Sequence, residues 1–279
     1  MSKSKLFQQK HELWLAILFG SFSILDEEIS DILYDFSMIE YRHLTWLGGS
    51  LAQEGVSFDY DKGEIDFQAE DYATLFGKLI VQIEKMRESY PDDEDIMFAR
   101  FKSDEDYFLQ KLNFLQKHIK NEPITAFDKS RKLEHYKLDQ TQTNALTLFL
   151  FEESYKEYEL ILVYTYANFF TDSKLLCGIF IDLIYESHFH LKSFARMMAK
   201  MGILSIPRTM MEQVYKFDDL EKFLVDGIKE EEGAKEECVK LAQMVNHEEL
   251  SNFFYFINYQ ENYHIELMRK ALAHLKEKS

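Results

Sequence analysis

Acidic and imidazole residues recur in this chain at an interval that suits helices, and that recurrence limits the folds open to it. Glu12 and His43 lie 31 residues apart, as do Glu159 and His190, so the two segments align without a gap at an offset of 147. A second correspondence relates Glu105-Asp106-Tyr107-Phe108 to Glu261-Asn262-Tyr263-His264 at an offset of 156. Amphipathic packing alone seldom repeats charged residue types in register, whereas duplication of a unit that uses them does. Such self-similarity governs the rest of the reading, because each copy must then close its own core.

A chain of 279 residues accommodates two domains of roughly 140 residues, each large enough to bury a real core. Hydrophobic residues make up 46% and prolines number only three, a balance that favours a globular, helix-rich protein. The net charge of −17 argues against a nucleic-acid backbone or an anionic membrane surface as partner. No N-terminal stretch combines a basic start, an apolar core and a small-residue cleavage site. The most apolar stretch, Leu160 to Tyr185, is broken by Asn168, Asp172, Ser173 and Lys174, so two buried helices are expected there rather than a membrane span. Two cysteines, Cys177 and Cys238, supply neither a disulfide framework nor a four-cysteine metal site, and a reducing cytoplasmic compartment is the plain expectation.

Hydrophobic periodicity predicts a first helix through Leu13, Leu15, Ile17, Leu18 and Phe22. A second runs from about Asp26 to Leu47, where Gly48-Gly49 should end it. Val56-Ser57-Phe58-Asp59-Tyr60 and Glu64-Ile65-Asp66-Phe67 alternate around Asp61-Lys62-Gly63, the pattern of a small β-hairpin. Helices follow at about 71–89 and 93–120, then a polar linker over 121–141. The pattern restarts with helices at about 143–170, 173–201, 218–244 and 248–276. Pro91, Pro123 and Pro207 all fall between these helices, where a missing amide donor is harmless. The expected class is all-α, with a boundary near residue 130 separating domains 1–130 and 131–279.

Glu40-Tyr41-Arg42-His43 and Glu261-Asn262-Tyr263-His264 are both Glu-x-x-His. Positions i and i+3 of a helix share a face, so carboxylate and imidazole can converge on one point. Each half also has two helices, a longer connection and two more helices. The chain thereby resembles the ferritin-like di-metal carboxylate superfamily, particularly its rubrerythrin-related branch, as a tandem duplication. That family joins its second and third helices by a long crossover, and places one Glu on each of two helices and Glu-x-x-His on each of the other two. Residues 228–236, followed by Glu261-x-x-His264 thirty residues after Glu231, look like its last helix pair. Residues 35–44 look like its second helix.

Carried onto the second half, the resemblance implies Glu159 on the first helix, His190 on the second, Glu231 on the third, and Glu261 with His264 on the fourth. The residue three before His190 is Ser187, so Glu186, four before it, is the candidate for the absent carboxylate. Carried onto the first half, it leaves Glu12, Glu40, His43 and Glu105 as weaker candidates. Phe108 stands where the second histidine belongs, and Leu75 stands where Glu231 has its counterpart. The first bundle is therefore expected to be a degenerate copy kept for packing.

Carboxylates and imidazoles suit iron or manganese rather than thiolate-seeking metals. The resemblance implies two iron ions, or manganese, and chemistry on O2 or hydrogen peroxide of a peroxidase, oxidase or ferroxidase type. Rubrerythrins proper add a four-cysteine rubredoxin-type centre. This chain lacks those cysteines, so a reductase would need an external electron donor. A non-enzymatic iron-binding or storage protein and a helical scaffold with decayed sites are the other readings, and a homo-oligomer is compatible with all three. On the bland view, the acidic residues line solvated helix faces. Likewise Tyr41, Tyr158, Tyr185, Tyr255, Tyr259 and Tyr263 are ordinary core aromatics.

Overall fold

The computed structural model describes residues 2–91, 95–124, 136–216 and 219–278, and within them the chain is all-helical. The elements are α1 (Lys3–Phe22), α2 (Glu27–Gln53), α3 (Tyr72–Glu88), α4 (Ile96–His118), α5 (Gln140–Phe169), α6 (Lys174–Lys200), α7 (Glu212–Tyr215), α8 (Leu220–Val245) and α9 (Glu248–Lys278). Most long helices begin on an aspartate whose side chain accepts from an amide two or three residues on, satisfying a donor with no intrahelical partner. Asp26 caps Ile29, Asp71 caps Thr74, Asp95 caps Met97 and Asp219 caps Lys222. Asp139 and Gln142 form a reciprocal capping box at the start of α5.

The chain divides into two compact units, one of Met1–Lys132 with Met198–Met210, the other of Leu133–Met197 with Met211–Ser279. The expected boundary near residue 130 lies outside the described residues, and residues 198–210 group with the first unit rather than the second. In the first unit α1 packs on α2 and α3, and α4 packs on α3 and α2, so four long helices surround one core. In the second, α5 packs on α8 and α8 on α9. Phe194 of α6 meets Phe149 of α5 and Phe253 of α9. No helix among the described residues is long and apolar enough to cross a membrane. The apolar stretch at 160–185 is divided between α5 and α6.

Two local expectations fail. Residues 56–70 pair in no β-ladder; the one bridge among the described residues joins Asp71 to Pro123. Their alternation has another cause. Phe58 and Tyr60 pack on Phe7, Tyr60 also on His11, and Phe67 on Phe19, so the connection lies along α1 and covers it. That cover explains why α1 is buried around most of its circumference. Helix α2 also runs through Gly48-Gly49, and continuing it carries Leu51 into the core, where it is completely buried. Burying a leucine contributes about 1.5–3 kcal/mol, which offsets about 1 kcal/mol lost per helical glycine. The true stop is Gly55 at φ 67°, where Gly55 N–H bonds Ala52 O and Val56 N–H bonds Leu51 O.

His11 lies wholly inside this core, against the rings of Trp14 and Tyr60. Burial, reinforced by the positive charge of Lys62, lowers its pKa to about 3. An unfolded histidine protonates near 6.5, so the unfolded chain binds the extra proton first as pH falls. Stability is therefore fully present above pH 6.5 and is lost progressively as pH drops towards 3. This residue should cost the first unit about 2 kcal/mol between pH 7 and pH 5. His11→Phe should flatten that part of the pH dependence. Urea unfolding followed by tryptophan fluorescence checks it, since Trp14 and Trp46, the chain's two tryptophans, both belong to the first unit.

Candidate metal centre

In the second unit four helices each send an ionisable side chain inward. On α5 the stripe Leu150, Ser154, Glu157, Ile161, Tyr164 follows helical spacing and is buried throughout, so Glu157 sits in an otherwise core-facing row. Helix α6 contributes His190, α8 contributes Glu231, and α9 contributes Glu261 and His264 from one face, three residues apart. All five are buried, His190 completely. They form two sets, Glu157–His190–Glu261 and Glu231–Glu261–His264, each with its ligand-type atoms within 4.8 Å of one another. Glu261 belongs to both.

His190 Nδ1 lies 2.8 Å from Glu157 Oε1 and 3.8 Å from Glu261 Oε1. His264 Nδ1 lies 2.8 Å from Glu261 Oε2 and 3.8 Å from Glu231 Oε1. Burial opposes charge on both imidazoles, but the carboxylates prevail. Glu157 raises His190 to about 9, and Glu231 with Glu261 raises His264 to about 11. Burial and the neighbouring charge of Glu231 push Glu261 upward, whereas Glu231 is held low against burial by His264. Without metal, protons thus supply the compensating charge. The buried Glu157 Oε2 has no hydrogen-bond partner, an acceptor aimed into the cluster and left unsatisfied.

Two expected ligands are not in this cluster. Glu159 is two residues from the inward stripe, about 200° around the helix, and stands half-buried with its carboxyl raised by that burial and by Glu230. Glu157 takes its place. Glu186 is also half-buried and reaches the cluster only indirectly: Gln260 Nε2 donates to Glu186 Oε2 at 2.6 Å, and Gln260 Oε1 lies 3.2 Å from His190 Nε2. The position facing inward is the buried Ser187. His190, Glu231, Glu261 and His264 are brought together as expected.

Sequence reasoning missed Glu157, Gln260 and Tyr164. Tyr164 stands two turns after Glu157 on the same face, fully buried between Phe180 and Phe223, with no hydrogen-bond partner for its hydroxyl. Burial and the cluster's carboxylates, Glu231 foremost, raise its pKa far above the usual phenol value. Cys238 is buried nearby, and burial with the charge of Glu261 keeps its thiol protonated. Of the tyrosines singled out by sequence, Tyr41 and Tyr158 are core residues while Tyr185, Tyr255, Tyr259 and Tyr263 are exposed.

The first unit contains the matching set Glu40–His43–Glu105, entirely buried. A cation already sits in it. Lys10 Nζ lies 2.5 Å from Glu40 Oε2 and 2.6 Å from Glu105 Oε1, and it donates to Tyr90 Oη at 2.7 Å. Tyr90 in turn donates to Glu105. At the 147-residue offset Lys10 is the counterpart of Glu157, Glu40 of Ser187 and Ile17 of Tyr164. Phe108 and Leu75 fill the places of His264 and Glu231 and are fully buried. Glu12 lies outside the set: its Oε1 accepts from Gly63 N–H at 2.8 Å, tying the connection to α1. Where the second unit has the carboxylate Glu157, the first has the ammonium of Lys10.

Comparison with protein-family models, curated proteins and solved structures finds no match for this chain. Three carboxylates and two imidazoles offer oxygen and nitrogen donors of the kind that iron and manganese accept. The ion pairs that Glu157, Glu231 and Glu261 make among the described residues are all to His190 and His264. Buried carboxylates lacking a permanent counter-charge are strongly destabilising, so the donor set fits a bound cation.

The lysine of the first unit provides a test of that reasoning. Lys10→Met removes the charge at near-constant volume and leaves Glu40 and Glu105 facing each other. It should destabilise the first unit by about 3–5 kcal/mol, the cost typical of breaking a buried pair. Adding Glu40→Gln and Glu105→Gln should return most of that loss. Denaturant unfolding read by tryptophan fluorescence measures all three states.

Proposed function

We propose that the second unit is a ferritin-like four-helix bundle with a two-metal carboxylate centre, holding iron or manganese, that acts on O2 or hydrogen peroxide. The observation that carries this reading is the pair of buried Glu/His sets sharing Glu261. A shared carboxylate between two such sets is the arrangement a two-ion centre needs. Glu157 with His190 would hold one ion, Glu231 with His264 the other, and Glu261 would serve both. A bound pair of redox ions supplies two electrons to O2 or peroxide, and an external donor would have to return them.

The protein's own residues prepare that chemistry in specific ways. Four helices, each anchored by apolar packing, hold the donors in place before any ion arrives. Burial excludes bulk water and strengthens every local electrostatic interaction. Tyr164 adds a hydroxyl beside the carboxylates at a position where the first unit has the apolar Ile17. The first unit, in this reading, is the same architecture with Lys10 in place of an ion, retained for its packing.

Metal analysis of protein purified without added ions, followed by anaerobic Fe(II) or Mn(II) loading, tests the proposal. Two ions per chain that react with O2 or peroxide are expected. Bound but unreactive metal would shift the conclusion to iron binding or storage, and no bound metal would leave only a helical scaffold. Glu157→Ala, Glu261→Ala and His264→Ala should each abolish loading of at least one ion. Glu159→Ala, Glu12→Ala and His43→Ala should leave the stoichiometry unchanged.

A further inference from the structure

His190 can ligate an ion through Nδ1 only if that nitrogen offers a lone pair, and the opposite nitrogen decides whether it does. An imidazole that ligates through one nitrogen keeps its proton on the other, and that proton needs an acceptor. Nδ1 of His190 faces Glu157 and Glu261; Nε2 faces Gln260. A glutamine amide is ambiguous in this role. Turned one way it presents oxygen and draws the proton to Nε2. Turned the other way it presents NH2, which drives the proton to Nδ1 and blocks it.

Glu186 removes the ambiguity. Its carboxylate accepts from Gln260 Nε2 at 2.6 Å, and an ionised carboxylate can only accept. The amide nitrogen must therefore point to Glu186, and the amide oxygen to His190 Nε2. The first unit supports this account by contrast. There the residue against His43 Nε2 is Asp104, at 3.0 Å, and Asp104 is the counterpart of Gln260 at the 156-residue offset. A carboxylate has no wrong orientation as an acceptor. The counterpart of Glu186 in that unit is Ile39, which cannot hydrogen-bond. Asp104 is held instead by Arg42 and Arg100, which donate to its Oδ2 at 3.2 and 2.9 Å. The flippable Gln260 has a carboxylate behind it, and the acid that cannot flip has none.

We infer that Glu186 is a positioning residue: by fixing the orientation of Gln260 it presents an acceptor to His190 Nε2, so that this nitrogen keeps its proton and Nδ1 is the one that yields to a metal ion. This rests on the metal-centre reading above. Groups that orient a ligating histidine from behind commonly contribute 10–100-fold to metal affinity. The half-exposed position of Glu186 gives the centre a tuning point outside its own ligand set.

The test is calorimetric titration of the whole metal-free protein with Co(II) or Mn(II). Gln260→Leu should weaken binding about 10–100-fold. Glu186→Ala should weaken it about tenfold or more, with far-UV circular dichroism unchanged. The exchanged double variant Glu186→Gln/Gln260→Glu restores a fixed acceptor at His190 and should return affinity to near the unmodified level. A purely structural role for Glu186 predicts no such recovery. Binding unaffected by Glu186→Ala, or a double variant as weak as the singles, would overturn the inference while leaving the metal centre intact. No binding by the unmodified protein would instead overturn the metal-centre reading, and this inference with it.

Discussion

Carboxylates inside a helical core must be neutralised, and the two units meet that requirement by different means. The first carries its counter-charge covalently, as Lys10 between Glu40 and Glu105. The second has three carboxylates whose ion pairs among the described residues are to two imidazoles. A lysine side chain is tied to its own helix and cannot leave the core it fills. A histidine proton can be exchanged for a metal ion, because a ligating imidazole must give up the proton on the nitrogen that binds.

Much of the fold was legible because its signals are local. The expected helix starts near 26 and 71 fall on Asp26 and Asp71, whose side chains compete for free amides where a periodic apolar run begins. Helix α5 starts three residues before its expected position, on the Asp139 cap. The failures share one cause, tertiary cover. Alternation at residues 56–67 signalled a surface with two faces, but the buried face rests on α1 instead of belonging to a sheet. The glycine pair at 48–49 signalled an end, but Leu51 beyond it had a core to enter.

The candidate site was legible in its histidines and on α8 and α9, and misplaced by two residues on α5. Glu12 and Glu159 repeat as residue types, whereas the positions that matter, 10 and 157, hold Lys and Glu. The aligned positions 10 and 157 carry opposite charge, so a search for like residues found the half-buried pair two residues on. Helical phase would have corrected it: Glu157 lies on the stripe with Leu150, Ile161 and Tyr164, and Glu159 does not. The role of Glu186 was beyond sequence, because it depends on which way an amide turns.

Only Asn246 and His247 separate α8 from α9, with Asn246 in the left-handed region at φ 44° ending α8. Closing so short a bend brings Glu231 beside Glu261 and His264, all from one contiguous stretch of chain. Glu157 and His190 come from far earlier and join only when remote helices dock. The loop entropy spent on the two half-sites is therefore unequal, low for one and high for the other. One half of the pocket is assembled by a hairpin of helices, and the other waits for the domain.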